Sequence, residues 1–445
     1  MISKLTKHLD IDTIMVFFDK IVASIKGPLS VICVLLFLDP NQQGLWYTFI
    51  SLSALVGLAE MGFTTVVSQY ISHEYAKVRL RNGFVIFNRN NRELFAIISY
   101  ALKLYFIIIP IAVIGLTIVG YKFFDSESSW IIFVWVAYSI SSGINLLSVL
   151  LIYIYRGMDK VAIVHKIRAF SNIVYITTLP IFLSLGFGLS SLPVIMMIMV
   201  VLICVMLYYV DTKFWVQLYR DRKRPVKFNS QELKNLQIKY AVSFFSGYFM
   251  FNIFVPLVYK YQGSLLAGQL GLTLTVVRTI STFSYAWLES KLPYFNILIS
   301  KGELKKFRDE FKTKFQLSGA TFIFGMIAIA LLYFASNYFN LYNDRVVSPE
   351  IFSSIFAMEV GIYIMSCYAI YVRAHKVEPF HYISLISAMI IAGIAFSLIK
   401  SNNIEDAFYY IALVYWFFIV PVFYIVGKVK IRKRNYAVNF NYNKK

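Results

Sequence analysis

The chain has 445 residues, of which 59% are hydrophobic and only 15% charged, with a formal net charge of +20. Soluble domains are nearer about 45–50% apolar and about 25% charged, so this chain has too little charge to cover itself in water. The positive balance does not point to nucleic acid, because the Lys and Arg lie in short segments between long apolar runs and the anionic cytoplasmic face of a membrane is partner enough for them.

Twelve apolar runs are long enough to span a bilayer, at 14–38, 43–70, 94–120, 130–155, 161–186, 189–212, 238–260, 264–290, 315–338, 350–372, 380–400 and 406–427, each close to or above the ~20 residues a spanning helix needs. The first carries Asp19, Lys20 and Lys26 and is followed by no small-residue cleavage site, so it is expected to be a span and not a removable leader. Gly27-Pro28 within it predicts a kink. A Gly-containing turn at Tyr261-Gln262-Gly263 separates the seventh and eighth runs. With the amino terminus in the cytoplasm, the cytoplasmic segments 1–13, 71–93, 156–160, 213–237, 291–314, 373–379 and 428–445 hold 32 of the 43 Lys plus Arg, against four on the other side. That strict alternation is what the positive-inside rule predicts for twelve spans with both termini cytoplasmic.

Shifting the chain by 216 residues aligns Ile154, Tyr155, Lys160, Val161, His165, Ile167 and Ser171 with Ile370, Tyr371, Lys376, Val377, His381, Ile383 and Ser387. Both windows cover the same corner, between runs four and five and between runs ten and eleven. The expected organisation is therefore a six-helix lobe at 1–212, a basic cytoplasmic linker at 213–237, a second six-helix lobe at 238–427 and a basic tail at 428–445. Paired six-helix halves of this kind are a transporter architecture.

Ionisable groups inside the apolar runs mark function by default, because charge in hydrocarbon costs several kcal/mol. Lys20, Lys103, Lys166, Arg168 and Lys239 lie close enough to a cytoplasmic boundary to snorkel. Lys26, Arg278 and Glu359 lie about 13–20 Å from a span end at 1.5 Å per residue, and Glu60 is somewhat nearer the cytoplasm on a short stem. Three stripes at helical spacing contain them: Asp19, Ala23, Lys26 and Ser30; Ser53, Gly57, Glu60, Thr64 and Ser68; and Gly271, Thr275, Arg278, Thr282, Tyr285 and Glu289. Two readings fit. One is interhelical ion pairing through small-residue interfaces, for instance Glu60 with Lys26. The other is a water-filled site in which Lys26, Lys20 and Arg278 bind an anion while Asp19, Glu60, Glu289 and Glu359 pair with them or carry a coupling charge. His165 and His381, just inside the fifth and eleventh runs, suit packing better than proton transfer. Cys33, Cys204 and Cys367 lie within apolar runs without metal or disulfide spacing, and no nucleotide-binding loop, metal motif or hydrolytic triad stands out.

The second run, Gly44-Leu-Trp-Tyr-Thr followed by Gly57-Leu-Ala-Glu60-Met-Gly62-Phe, resembles the Wzx-type polysaccharide flippases, as do the corner Tyr155-Arg-Gly-Met-Asp-Lys160 and the Gly263 to Gly271 start of the eighth run. Those flippases belong to the multidrug/oligosaccharidyl-lipid/polysaccharide exporter superfamily. The resemblance implies an all-α, MATE-like, V-shaped pair of six-helix bundles around a cationic cavity, working by alternating access without a cofactor. It implies as substrate an undecaprenyl-pyrophosphate-linked oligosaccharide, and as partners membrane lipids and a glycan polymerase, in a bacterial inner membrane. Lys20, Lys26 and Arg278 fall where the sister lipid II flippases carry basic residues, although the first-helix residues here are Lys and not Arg. The open alternatives are a membrane glycan polymerase or ligase, disfavoured by the lack of a large periplasmic loop, and a drug/cation antiporter, which would be expected to use a carboxylate-rich cavity.

Overall fold

The structure is a computed structural model described over residues 11–75, 80–81, 84–85, 92–221, 241–242, 244–300, 302–339, 343–375 and 379–442. It is helical almost throughout. The one strand ladder among the described residues pairs β1 (Leu80–Arg81) with β2 (Phe84–Val85) in antiparallel register, Leu80 opposite Val85.

In chain order the first helices are α1 (Ile11–Phe37), α2 (Pro40–Ser53), α3 (Val56–Glu60), α4 (Phe63–Tyr75), α5 (Arg92–Phe123), α6 (Ser129–Gly157), α7 (Val161–Ser184), α8 (Ser191–Val210) and α9 (Thr212–Asp221). After a helical stretch at 244–251 come α10 (Phe254–Gln262), α11 (Ser264–Glu289), α12 (Leu292–Ser300), α13 (Leu304–Tyr338), α14 (Pro349–Ala374), α15 (His381–Lys400), α16 (Ile404–Val414), a π-turn at Tyr415–Ile419 and α17 (Val420–Tyr442). Among the described residues nine helices are long and apolar enough to cross a bilayer, ten when the second span counts as one bent helix. The two remaining expected spans have physical reasons to differ. Gln269, Arg278 and recurrent Ser and Thr make α11 too polar, although it is a continuous helix of 26 residues. The seventh, 238–260, is interrupted at Asn252 and Ile253, and its residues 238–240 and 243 lie outside the described residues.

The second span is not one straight helix. Met61 and Gly62 adopt φ of 51° and 70° in succession, and α4 leaves at 47° to the segment before it. Two left-handed residues end the helical hydrogen-bond ladder, which places Glu60 at the end of α3. Pro28 does not have this effect, because α1 stays helical through it. Proline removes one ladder bond, and here the helix continues across that loss.

The chain divides into two units, residues 1–38 with 49–245 and residues 39–48 with 246–445. In the first, α1 and α7 make the most extensive helix pairing. The corner after α6 is built by Asp159 at φ 58°, by a Lys160–Asp211 ion pair, and by Tyr155, which donates to the Leu207 carbonyl at 2.9 Å and accepts from Trp215 Nε1 at 2.9 Å. A Cβ at Gly157 would press on Ile71 and the Ser68 carbonyl. These contacts give the Tyr155-to-Lys160 motif a structural job.

In the second unit, residues 39–48 pack on the start of α11. A Cβ at Gly44 would overlap the Ser264 carbonyl, and one at Gly271 would overlap the Tyr47 side chain. Buried Gln43 donates to the Gly268 and Arg345 carbonyls at 2.9 and 3.2 Å and accepts from Arg345 Nη1 at 3.2 Å. The corresponding corner after α14 is aromatic, with Tyr371 stacked against Phe307 at 5.2 Å and edge-on to Phe311 at 4.9 Å. Lys376 and Val377, members of the internal repeat, lie outside the described residues.

The outer faces of both units are apolar. On α5, for example, Phe106, Ile107, Ile111, Ile114 and Ile118 are exposed at helical spacing, as lipid-facing residues must be. At 35 residues, α13 is about 52 Å long at 1.5 Å per residue. That exceeds the ~30 Å hydrocarbon core, and its first ten residues, 304–313, include Lys305, Lys306, Arg308, Asp309, Glu310 and Lys312.

Candidate functional site

In the first unit the charged residues gather along the α1–α7 seam. Asp19, Lys26 and Ser30 share one face of α1, and His165, Arg168, Asn172 and Tyr175 share one face of α7 by their three- and four-residue spacing. Asp19 is buried. Its Oδ2 accepts from His165 Nδ1 at 2.7 Å and faces Arg168 Nε at 3.6 Å, and its Oδ1 accepts from Asn172 Nδ2 at 3.2 Å. Farther along the seam, Lys26 Nζ lies over the Tyr175 ring, 4.1 Å from its centroid, and the Tyr175 hydroxyl donates to Ser30 Oγ at 3.4 Å. Because both contact sets advance in the same chain direction, α1 and α7 run parallel.

The Asp19 stripe therefore does face one neighbour as its spacing predicts, but the partners differ from those expected. Lys26 makes no ion pair among the described residues, and neither does Glu60. Glu60 is buried against its own helical continuation, its Oε1 accepting from the Thr64 hydroxyl and, at 3.4 Å, from the Thr64 amide. The Glu60–Lys26 pair, one instance of the ion-pairing reading, is not formed among the described residues: the Glu60 carboxylate is held instead by Thr64, four residues on. Lys20 is exposed on α1.

In the second unit, Glu359 is only 1% exposed on α14. Its Oε1 accepts from the Ser281 hydroxyl of α11, while its Oε2 has no hydrogen-bond partner among the described residues. Arg278, one turn before Ser281, acts on Glu359 electrostatically, yet its Nε and Nη2 are without hydrogen-bond partners among the described residues. The π-turn completes the group. Tyr415 is fully buried near both charges, and Trp416 Nε1 donates to the Ala357 carbonyl at 2.9 Å. A Cβ at Gly361 would already lie 3.2 Å from Tyr415 Cβ, so Gly361 allows the π-turn to approach. Such turns recur at functional sites. Tyr285 stacks on Tyr363 at 5.4 Å and Tyr363 on Phe322 at 3.9 Å, while Ser318 bridges the Tyr363 hydroxyl and the Ser284 carbonyl. On the same α11 stripe, Thr275 and Thr282 bond back to the Gly271 and Arg278 carbonyls. Glu289, the last residue of α11, is exposed and stands apart from this cluster.

Four site residues were missed by the sequence stripes: His165 and Asn172, which hold Asp19, Tyr175, which holds Lys26, and Tyr415. The first three were legible in principle, since 165, 168, 172 and 175 form a polar stripe on the fifth run. Tyr415 gave no signal, because a π-turn shifts the register that such stripes assume.

No protein-family model matches the sequence, and no curated protein matches it. Solved structures do match along nearly its whole length. An inward-facing conformation of a multidrug resistance MATE family transporter of the MOP superfamily aligns with a TM-score of 0.66 at 13% identity, covering 92% of this chain and 95% of that one. The fold is that of the MATE transporters. An outward-facing conformation of a multidrug resistance MATE transporter aligns at a TM-score of 0.55 and 13% identity, over 95% of both chains. A MOP superfamily transporter from Pyrococcus furiosus, described as having a binding pocket of reversed polarity that suggests a different function, aligns at 0.52 and 13%, also over 95% of both. The MATE fold thus accounts for the multi-pass helical architecture, and at this identity it carries no information on cargo.

Proposed function

We propose that this protein is a flippase that moves an undecaprenyl-pyrophosphate-linked oligosaccharide from the cytoplasmic to the periplasmic leaflet by alternating access, with both termini in the cytoplasm. The observation that carries the proposal is the electrostatic character of the two buried clusters. Each contains a cation deep in a span whose charge is not matched by a hydrogen-bonded carboxylate: Lys26 rests on an aromatic ring, and Arg278 keeps two guanidinium nitrogens without hydrogen-bond partners. An intramembrane cation without a hydrogen-bonded carboxylate is costly, and a guanidinium is suited to phosphate oxygens.

Binding pockets of different polarity occur on this fold, since the member described as having a pocket of reversed polarity shares it with multidrug transporters. A carboxylate-rich site for a cationic drug is not what these residues offer: Glu60 and Glu359 are each engaged by a hydroxyl, and Asp19 by two hydrogen-bond partners and the nearby Arg168 charge. Replacing Lys26 or Arg278 by Gln, at normal membrane levels of the protein, is expected to abolish surface glycan assembled from the lipid-linked repeat unit. Full glycan in both single variants would remove this reading.

A further inference from the structure

Arg168 is not explained by snorkelling alone. Its Nε faces Asp19 at 3.6 Å, but the guanidinium donates no hydrogen bond among the described residues and its side chain is 48% exposed. Its charge is felt by Lys26 as a like charge. Asp19 cannot neutralise both cations, because its two oxygens are already shared among His165, Asn172 and Arg168. Along α7, Arg168 and Tyr175, the perch of Lys26, are seven residues apart, about 10 Å of helix. Two cations are thus held on one seam, each fixed by a neighbour, with no carboxylate paired to Lys26 among the described residues.

Holding two like charges on one seam costs energy that an anion reaching both would offset. The Asp19 contact takes the Nε corner of Arg168 and leaves its two terminal nitrogens as a fork, the geometry that binds phosphate through paired hydrogen bonds. Lys26 supplies a second point charge farther into the span. A phosphate ester offers this pair one group to share, and a diphosphate offers two to distribute between them.

We infer that Arg168 and Lys26 together form a phosphate-binding site on the α1–α7 seam, with Asp19 as the residue that orients Arg168, and that its ligand is a membrane-borne phosphate ester or diphosphate. That the diphosphate is the glycan carrier's rests on the flippase reading above; the site itself does not.

The test uses the full chain in phosphatidylcholine nanodiscs, titrated separately with undecaprenyl pyrophosphate and with phosphatidylglycerol, with binding read by intact-complex mass spectrometry. Arg168→Gln is expected to weaken binding roughly tenfold or more, the scale of losing charge-assisted hydrogen bonds. Arg168→Lys, which keeps the charge but loses the fork, is expected to fall between it and the wild type. It also serves as the folding control, since it preserves an ion pair with Asp19. Arg168-dependent binding of undecaprenyl pyrophosphate supports both the site and the flippase. Arg168-dependent binding of phosphatidylglycerol alone supports the site and overturns the diphosphate cargo. Unchanged affinity for both lipids in a folded Arg168→Gln protein overturns the site and leaves the flippase to Arg278. Failure of the wild type to bind either lipid overturns both.

Discussion

Asp19 and His165 are 146 residues apart in the chain, and their Oδ2 and Nδ1 atoms lie 2.7 Å apart in the structure. This contact, with Asn172 and Arg168 on the same carboxylate, ties the first half of α1 to α7. A buried carboxylate stripped of partners is strongly destabilising, whereas removing both members costs less. Asp19→Asn and His165→Ala are each expected to lower the thermal midpoint of the detergent-solubilised protein. The double variant should be less damaging than the sum, with a coupling of about 1–3 kcal/mol. A coupling near zero would show that the contact does not hold the helices together.

The Arg278–Glu359 cluster makes an analogous prediction with a functional readout. Glu359→Gln keeps the shape and the Ser281 hydrogen bond but leaves Arg278 without its buried counter-charge, so stability should fall. Combining it with Arg278→Gln should restore part of that stability while transport stays lost. Thermal unfolding and a surface-glycan assay on the same three variants separate the two effects. Restored transport in the double variant would mean that Arg278 is not needed for cargo.

Two glycines on the second span should respond in opposite ways. A methyl at Gly44 would overlap the Ser264 backbone, which cannot step aside, and one at Gly57 meets nothing within 4 Å. Gly44→Ala is expected to cost about 1–3 kcal/mol or more as overpacking, and Gly57→Ala to be neutral or slightly stabilising through helix propensity. Comparing the midpoints of thermal unfolding tests the close approach of residues 39–48 to α11.

Orientation is testable with single cysteines in a background where Cys33, Cys204 and Cys367 are replaced. Introduced at Asn402, in the turn between α15 and α16, a cysteine should react with a membrane-impermeant maleimide from the periplasmic side. One at Lys433, in the basic second half of α17, should react only after the membrane is opened. The reverse pattern would invert the topology drawn from the 32-to-4 charge asymmetry.

The helical spans and the residues that stand out within them were determined by the sequence alone, because apolar length and the cost of charge in hydrocarbon are properties of a segment and need no partner. The run from Ser129 to Gly157 is a span whatever it packs against, and Lys26, Arg278 and Glu359 are exceptional wherever their helices lie. The shared face of Asp19, Lys26 and Ser30 was likewise legible, since it depends only on helical periodicity. What each charge touches was decided by tertiary structure. Asp19 meets His165 because α1 lies parallel to α7, and Tyr415 approaches Arg278 and Glu359 because a π-turn passes over Gly361. These contacts join residues distant in the chain or depend on irregular backbone. Periodicity within one segment holds no record of either, so the pairing of charges into two distinct clusters came only with the packed helices.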